Sequence, residues 1–304
     1  MPPVQVTPFI PADKDAEACV SCRIASEIRR IDLPAARERR KSVSYQTLEI
    51  RKREKGVAWM IINNPPVNTI TETLMNELED AAGRLSDDDA VRVLVIASAH
   101  PKIFLAGADL KAMIEGGAAL AGQENGIEKG SARMQRCFQK IAELPKPVIA
   151  AINGHALGGG CELALACDFR FMGKGKIGLT EVSLGIIPGA GGTQRLTKLL
   201  GRAKATELIF TAKRLEAKDA ERIGLIHRAV EPDRLEEETE AFAEELAEGA
   251  VKAMGLAKRA IGAADLPLEE GLAAEAKAFA ETFRTEEPAI GLSAFFNKEK
   301  PRFI

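Results

Sequence analysis

Two runs of the chain are apolar almost throughout. Val91-Arg92-Val93-Leu94-Val95-Ile96-Ala97 contains one charged residue, and Pro147-Val148-Ile149-Ala150-Ala151-Ile152 contains no polar side chain. A strand that buries one face alternates apolar and polar positions. A strand that fails to alternate belongs to a sheet covered on both faces. Segments of helical period follow these runs. The alternation predicts a layered β/α body in the α/β class.

The rest of the pattern fits that body. Leu48 and Ile50 alternate with Thr47, Glu49 and Arg51, Lys55-Gly56 supplies a turn, and Val57–Ile62 forms a second strand. Thr71 is placed to cap a helix carrying Leu74, Leu78, Ala81 and Leu85. A glycine-bearing link is expected over Phe104–Asp109, a short helix over Leu110–Met113, and a loose segment over 114–130. Met134, Cys137, Phe138 and Ile141 then recur at core-facing helical spacing. Asp168–Met172 reads as a strand and Leu225-Ile226-His227 as a short extended piece. From about 234 onward the pattern is helical. Three segments follow: an extension over 1–45, a β/α core over 46–240, and a helical region over 241–304 that packs on the core or on another subunit.

Composition narrows the chemistry. With a formal net charge of -2 over 304 residues, there is no basic surplus for a nucleic-acid partner. No apolar run approaches the roughly 18 residues of a membrane span. Cys19 and Cys22 form a lone CxxC without a second ligand pair, and the three histidines are scattered. No metal site is expected. The extension ends in an arginine-rich run, yet Asp13, Asp15, Glu17, Glu27 and Asp32 argue against a mitochondrial leader. A bacterial cytoplasmic location is the expectation.

The chemistry-bearing residues cluster after the second apolar run. Gly158-Gly159-Gly160 enters a helix that carries Glu162. Glycine permits close backbone approach, and the amides that open a helix lack internal partners. The run therefore reads either as an oxyanion site or as simple close packing. Glu162 and Glu181 both lie among apolar neighbours, where a charge is costly unless it is used or paired. They read either as a pair that polarises one water or as ordinary capping carboxylates. The residues alone leave both choices open.

Three motifs in order resolve them. Phe104-Leu105-Ala106-Gly107-Ala108-Asp109-Leu110-Lys111, Asn153–Ala164 and Pro188-Gly189-Ala190-Gly191-Gly192-Thr193-Gln194-Arg195-Leu196 make the chain, over about 46–304, resemble the crotonase superfamily and its enoyl-CoA hydratases. The resemblance implies the ClpP/crotonase-like spiral β-β-α superhelix with a C-terminal helical oligomerisation region. It implies that the backbone amides of Ala106 and Gly159 hold the thioester oxygen. Glu162 would deprotonate a water for attack on the β-carbon, and Glu181 would protonate the α-carbon. Lys102, Ala106, Ala108, Asp109, Leu110, Lys111, Phe295 and Lys298 are the implied contacts to coenzyme A and acyl chain. No permanent cofactor is implied, because coenzyme A is part of the substrate.

The implied reaction is addition of water to a trans-2-enoyl-CoA, giving a 3-hydroxyacyl-CoA, as in fatty-acid β-oxidation. The alternative is double-bond isomerisation or another acyl-CoA reaction of the superfamily. A carboxylate at the Glu181 position serves several of these; Glu162 as well points to hydration. Homotrimers pairing into hexamers are the implied assembly. The chain departs from the pattern in being one residue shorter between Asp168 and Glu181, and in carrying Ile290 where the family tail has Glu.

Overall fold

The computed structural model describes residues 44–109 and 125–304. Cys19, Cys22, Leu110, Lys111, the helix expected over Leu110–Met113 and residues 114–124 of the expected loose segment lie outside them. The body begins at Ser44. Tyr45 already belongs to it, since its hydroxyl donates to Asp80 Oδ2 at 2.7 Å.

The hairpin forms as its pattern predicts. Strand β1 (Leu48–Lys52) pairs antiparallel with β2 (Val57–Ile62), and Lys55 turns between them at φ 53. A two-residue strand β3 (Thr69–Ile70) leads to helix α1 (Glu72–Ser86). Thr71 caps α1, its hydroxyl accepting from Leu74 N at 3.2 Å. Such a cap is worth about 1 kcal/mol. Leu74, Leu78, Ala81 and Leu85 form the buried face of α1.

Strand β4 (Val93–Ser98) follows. The stretch expected as a link instead holds two short strands, β5 (Ile103–Leu105) and β6 (Gly107–Ala108). Strands this short have little pattern of their own; pairing with distant strands creates them. Helix α2 (Gly126–Ala142) begins inside the segment expected to be loose. Its buried Cys137, Phe138 and Ile141 supply the apolar anchor, and this outweighs the poor helix propensity of Gly126 and Gly130.

Next come β7 (Val148–Ile152), β8 (His155–Leu157), helix α3 (Gly159–Ala166), β9 (Phe169–Met172) and β10 (Ile177–Gly178). Helix α4 (Gly192–Phe210) bends at Gly201. Helix α5 (Ala217–Arg222) leads to β11 (Arg228–Ala229), which lies just beyond the extended piece expected at Leu225–His227. Helices α6 (Leu235–Glu248), α7 (Val251–Gly262), α8 (Leu268–Thr282) and α9 (Glu287–Asn297) complete the chain.

The main sheet has the order β1-β2-β4-β7-β9-β11, and β1-β2 is its antiparallel pair. Its strands divide their side chains by the two-residue period of an extended chain. Met60, Ile62, Leu94, Ile96, Ala150 and Ile152 join the large core beneath α1, α2 and α3. Trp59, Ile61, Val93, Val95, Ile149 and Ala151 pack against Ala243 and Ala247 of α6. Both faces are covered, which is why these strands do not alternate in sequence. Helix α6 runs continuously through residue 240, so the sheet's second cover spans the boundary drawn there.

A second, parallel sheet has the order β10-β8-β5, and β3 pairs with β6. Leu157 lies beside Gly178 in this register. The carboxyl end of β8 feeds α3, and that of β10 leads to the 3-10 turn Glu181–Leu184. With β6, these ends bring Ala108, Gly159, Glu162 and Glu181 to one cleft.

Candidate active site

Helix α3 sets the site. All eight of its residues are buried, so it has no polar face and Glu162 stands in an apolar wall. Gly158 precedes it at φ 54, ψ -122, a conformation that glycine adopts without strain. The first turn closes with Glu162 N donating to Gly158 O at 3.0 Å, so the amides of Gly159, Gly160 and Cys161 come before it. A side chain on Gly160 would collide with the Leu105 carbonyl. The glycine run packs α3 against β5 and places the start of α3 on the cleft.

Glu162 is 2% exposed. Its Oε1 accepts two backbone N–H groups, from Ala190 at 2.8 Å and Gly192 at 2.8 Å. Burial pushes its pKa up to about 7; the Gly192 amide opposes this, the Glu181 charge adds to it, and the Ala190 amide and Arg195 act against it. Glu181 opens the 3-10 turn. Its pKa is raised by burial, with its own and Thr180's backbone groups acting against the shift. Glu181 Oε2 is buried without a hydrogen-bond partner among the described residues. Glu162, raised by burial with the Glu181 charge adding to the shift, suits proton transfer near neutral pH, and burial raises the Glu181 carboxyl in the same cleft.

The site residues expected from sequence divide in three. Ala106, Ala108, Asp109, Gly159, Glu162 and Glu181 line the one cleft. Lys102, Phe295 and Lys298 are absent from its lining among the described residues. Lys102 sits beside His100, whose Nδ1 accepts its amide at 3.1 Å. Phe295 is 74% exposed, and Lys298 ends α9 at φ 57. Leu110 and Lys111 lie outside the described residues.

One assignment is corrected. The Ala106 amide donates to Asn68 O at 3.0 Å, so its hydrogen is used within the fold and does not fit the oxyanion role. Asn68 is itself fixed, being 1% exposed and donating to Ser98 Oγ at 2.7 Å. The amide nitrogen beside Gly159 is that of Ala108, which lies 3.8 Å from the Cβ position of Gly159.

Other residues gained a role only from the structure. Pro188–Leu196 was a recognition motif without a task; its amides turn out to grip Glu162. The available signal was a glycine-rich loop entering a helix, a natural carboxylate site. Arg195, on the first turn of α4, donates to Gln139 Oε1 at 2.6 Å and favours the charged form of Glu162.

Comparison with known proteins agrees with this geometry. The sequence profile of the family described as Enoyl-CoA hydratase/isomerase matches residues 52–304. A crotonyl-CoA hydratase of Syntrophomonas wolfei is 38% identical over 265 residues, spanning 86% of this chain and 99% of its own length. Among solved structures, an enoyl-CoA hydratase from Geobacillus kaustophilus superposes with a TM-score of 0.79 at 33% identity, covering 86% of this chain and 97% of that one. One from Bacillus anthracis gives 0.77 at 37% identity, covering 85% and 99%. The β-β-α spiral with C-terminal helices, expected from the motifs, is the fold observed. The chain belongs to the enoyl-CoA hydratase family of the crotonase superfamily.

Proposed function

We propose that this chain adds water across the double bond of a trans-2-enoyl-CoA to give the 3-hydroxyacyl-CoA. The observation that carries the reading is the pair Glu162 and Glu181, one buried and one half-buried carboxylate in one cleft, with the Glu181 charge helping to raise the pKa of Glu162. Glu162, with a pKa near the working pH, takes a proton from the attacking water. Glu181 delivers a proton to the α-carbon. The Gly159 amide, at the start of α3, holds the thioester oxygen together with its neighbour Ala108 N–H. Such donors bind that oxygen more tightly as it gains enolate charge, which lowers the barrier rather than merely binding the substrate. Ala108 and Asp109 line the coenzyme A side of the cleft.

Names of relatives support the same reading: similar proteins are called crotonyl-CoA hydratase and short-chain-enoyl-CoA hydratase. The test is a panel of trans-2-enoyl-CoA thioesters of increasing chain length, followed for 3-hydroxyacyl-CoA. Hydration of at least one short straight-chain thioester is expected. Double-bond migration without hydration across the panel would overturn the assignment.

The C-terminal helices also point to an assembly. Ile261, Leu268, Leu272, Phe279 and Phe283 are each more than half exposed. A surface of this kind is covered in a homotrimer or hexamer. Sedimentation velocity at micromolar concentration should return a trimer or larger species; a monomer would contradict this.

A further inference from the structure

We propose that Ser131 and Gln135 on α2 are positioning residues for Glu162, acting through the single peptide group that joins Gly189 to Ala190. The proposal rests on the reading of Glu162 as the base. That peptide is gripped from both sides. Its carbonyl oxygen, Gly189 O, accepts from Ser131 Oγ at 2.6 Å and from Gln135 Nε2 at 3.0 Å. Its N–H, on Ala190, donates to Glu162 Oε1 at 2.8 Å. The C=O and N–H of a trans peptide point in opposite directions. Fixing the carbonyl toward α2 therefore fixes the N–H toward Glu162.

The two side chains are built as a unit. They are one helical turn apart, on the same face of α2, and Gln135 Nε2 also lies 3.3 Å from Ser131 Oγ. Their task is not core packing, since Cys137, Phe138 and Ile141 anchor the helix. Gln135 is exposed, and an exposed glutamine is ordinarily solvated. Here it reaches a backbone carbonyl 54 residues further along the chain. Bonds donated to a carbonyl polarise its peptide and strengthen the N–H on the far side. The pair thus favours the charged form of Glu162 as well as its position.

Other groups act on the same carboxylate. Glu181 faces it from the 3-10 turn and opposes its charge, Arg195 faces it from α4 and favours it, and Cys161 adjoins it on α3. Helix α2 contributes the two neutral donors. Removing them should shift the ionisation of Glu162 upward while leaving every charged neighbour in place.

The experiment uses the full chain with trans-2-butenoyl-CoA, comparing wild type with S131A, Q135L, S131A/Q135L and S131T. The double variant should lose about tenfold in kcat with KM within about twofold. The acid limb of its kcat profile should move to higher pH by about half a unit. S131T, which keeps the hydroxyl, should leave both at their wild-type values. A double variant with wild-type kcat and an unmoved acid limb, whatever its melting temperature, would reduce the contact to simple docking of α2 and overturn the proposal. Should the double variant not fold, Q135L alone decides, because its position is exposed: a smaller shift in the same direction supports the proposal, and an unchanged profile overturns it. A wild type that forms no 3-hydroxyacyl product defeats the function and this proposal together. An active wild type with unaltered variants defeats this proposal alone.

Discussion

Glu162 and Glu287 are both buried, 2% and 5% exposed, and both receive two backbone N–H groups from the start of a helix. Glu162 meets Ala190 and Gly192, where α4 begins. Glu287 meets Lys252 and Ala253, where α7 begins, at 2.9 and 2.8 Å. In each case a carboxylate answers the unpaired amides of a helix N-terminus. The details then diverge. The two bonds to Glu287 are shared out, one to each oxygen, and its charge interacts favourably with Arg92. Both bonds to Glu162 fall on Oε1, and a second carboxylate, Glu181, opposes its charge. Glu287 ties α9 to α7. Glu162 is gripped by one oxygen and kept close to the point of protonation. Burial alone does not distinguish the two carboxylates; the distribution of bonds over their oxygens and the sign of the neighbouring charge do.

Exchanging each acid for its amide tests this contrast where the expected difference is greatest. E162Q should lower hydration turnover by about a thousandfold, within the range for loss of a general base. E287Q should leave turnover within about twofold. Equal losses in the two variants would erase the distinction.

Stability gives a smaller effect of opposite sign. E287Q replaces an accepting oxygen with a donor facing an amide, so the fold should lose about 1–3 kcal/mol in denaturant titrations. For Glu162 the folded-state pKa is raised, from 4.5 to about 7. The folded state then binds more protons than the unfolded one across that window, so wild-type stability falls as pH rises from about 4.5 to 7. E162Q removes this penalty. Relative to wild type it should gain little near pH 5 and on the order of 2–3 kcal/mol near pH 8. A gain independent of pH would show that the Glu162 ionisation is not perturbed as described.

Much of the architecture was legible in the sequence, for identifiable reasons. The hairpin, the Thr71 cap and the fully buried strands β4 and β7 follow from local pattern. Strands β5, β6 and β8 escaped it, because two or three residues beside glycine become strands only through partners elsewhere in the chain. The start of α2 escaped for the converse reason. Its first turns carry glycines and an Ile127 that is 62% exposed, and the packing of Cys137 and Phe138 further on sustains the helix. At the site, the motifs pointed to both glutamates but not to the backbone amides that hold Glu162. Ala106 and Ala108 are two residues apart and share a face of any extended segment, so pattern could not separate them. The Asn68 carbonyl, distant in sequence, does so by engaging Ala106.

Labelled water puts the proposed hydration to the test in one reaction. The wild-type enzyme would be incubated with a short trans-2-enoyl-CoA in water carrying both deuterium and oxygen-18, and the products resolved by mass spectrometry. If Glu162 activates water for the β-carbon while Glu181 protonates the α-carbon, the 3-hydroxyacyl-CoA should carry one oxygen-18 at C3 and one deuterium at C2. An isomerised enoyl-CoA containing deuterium but no oxygen-18 would contradict that account.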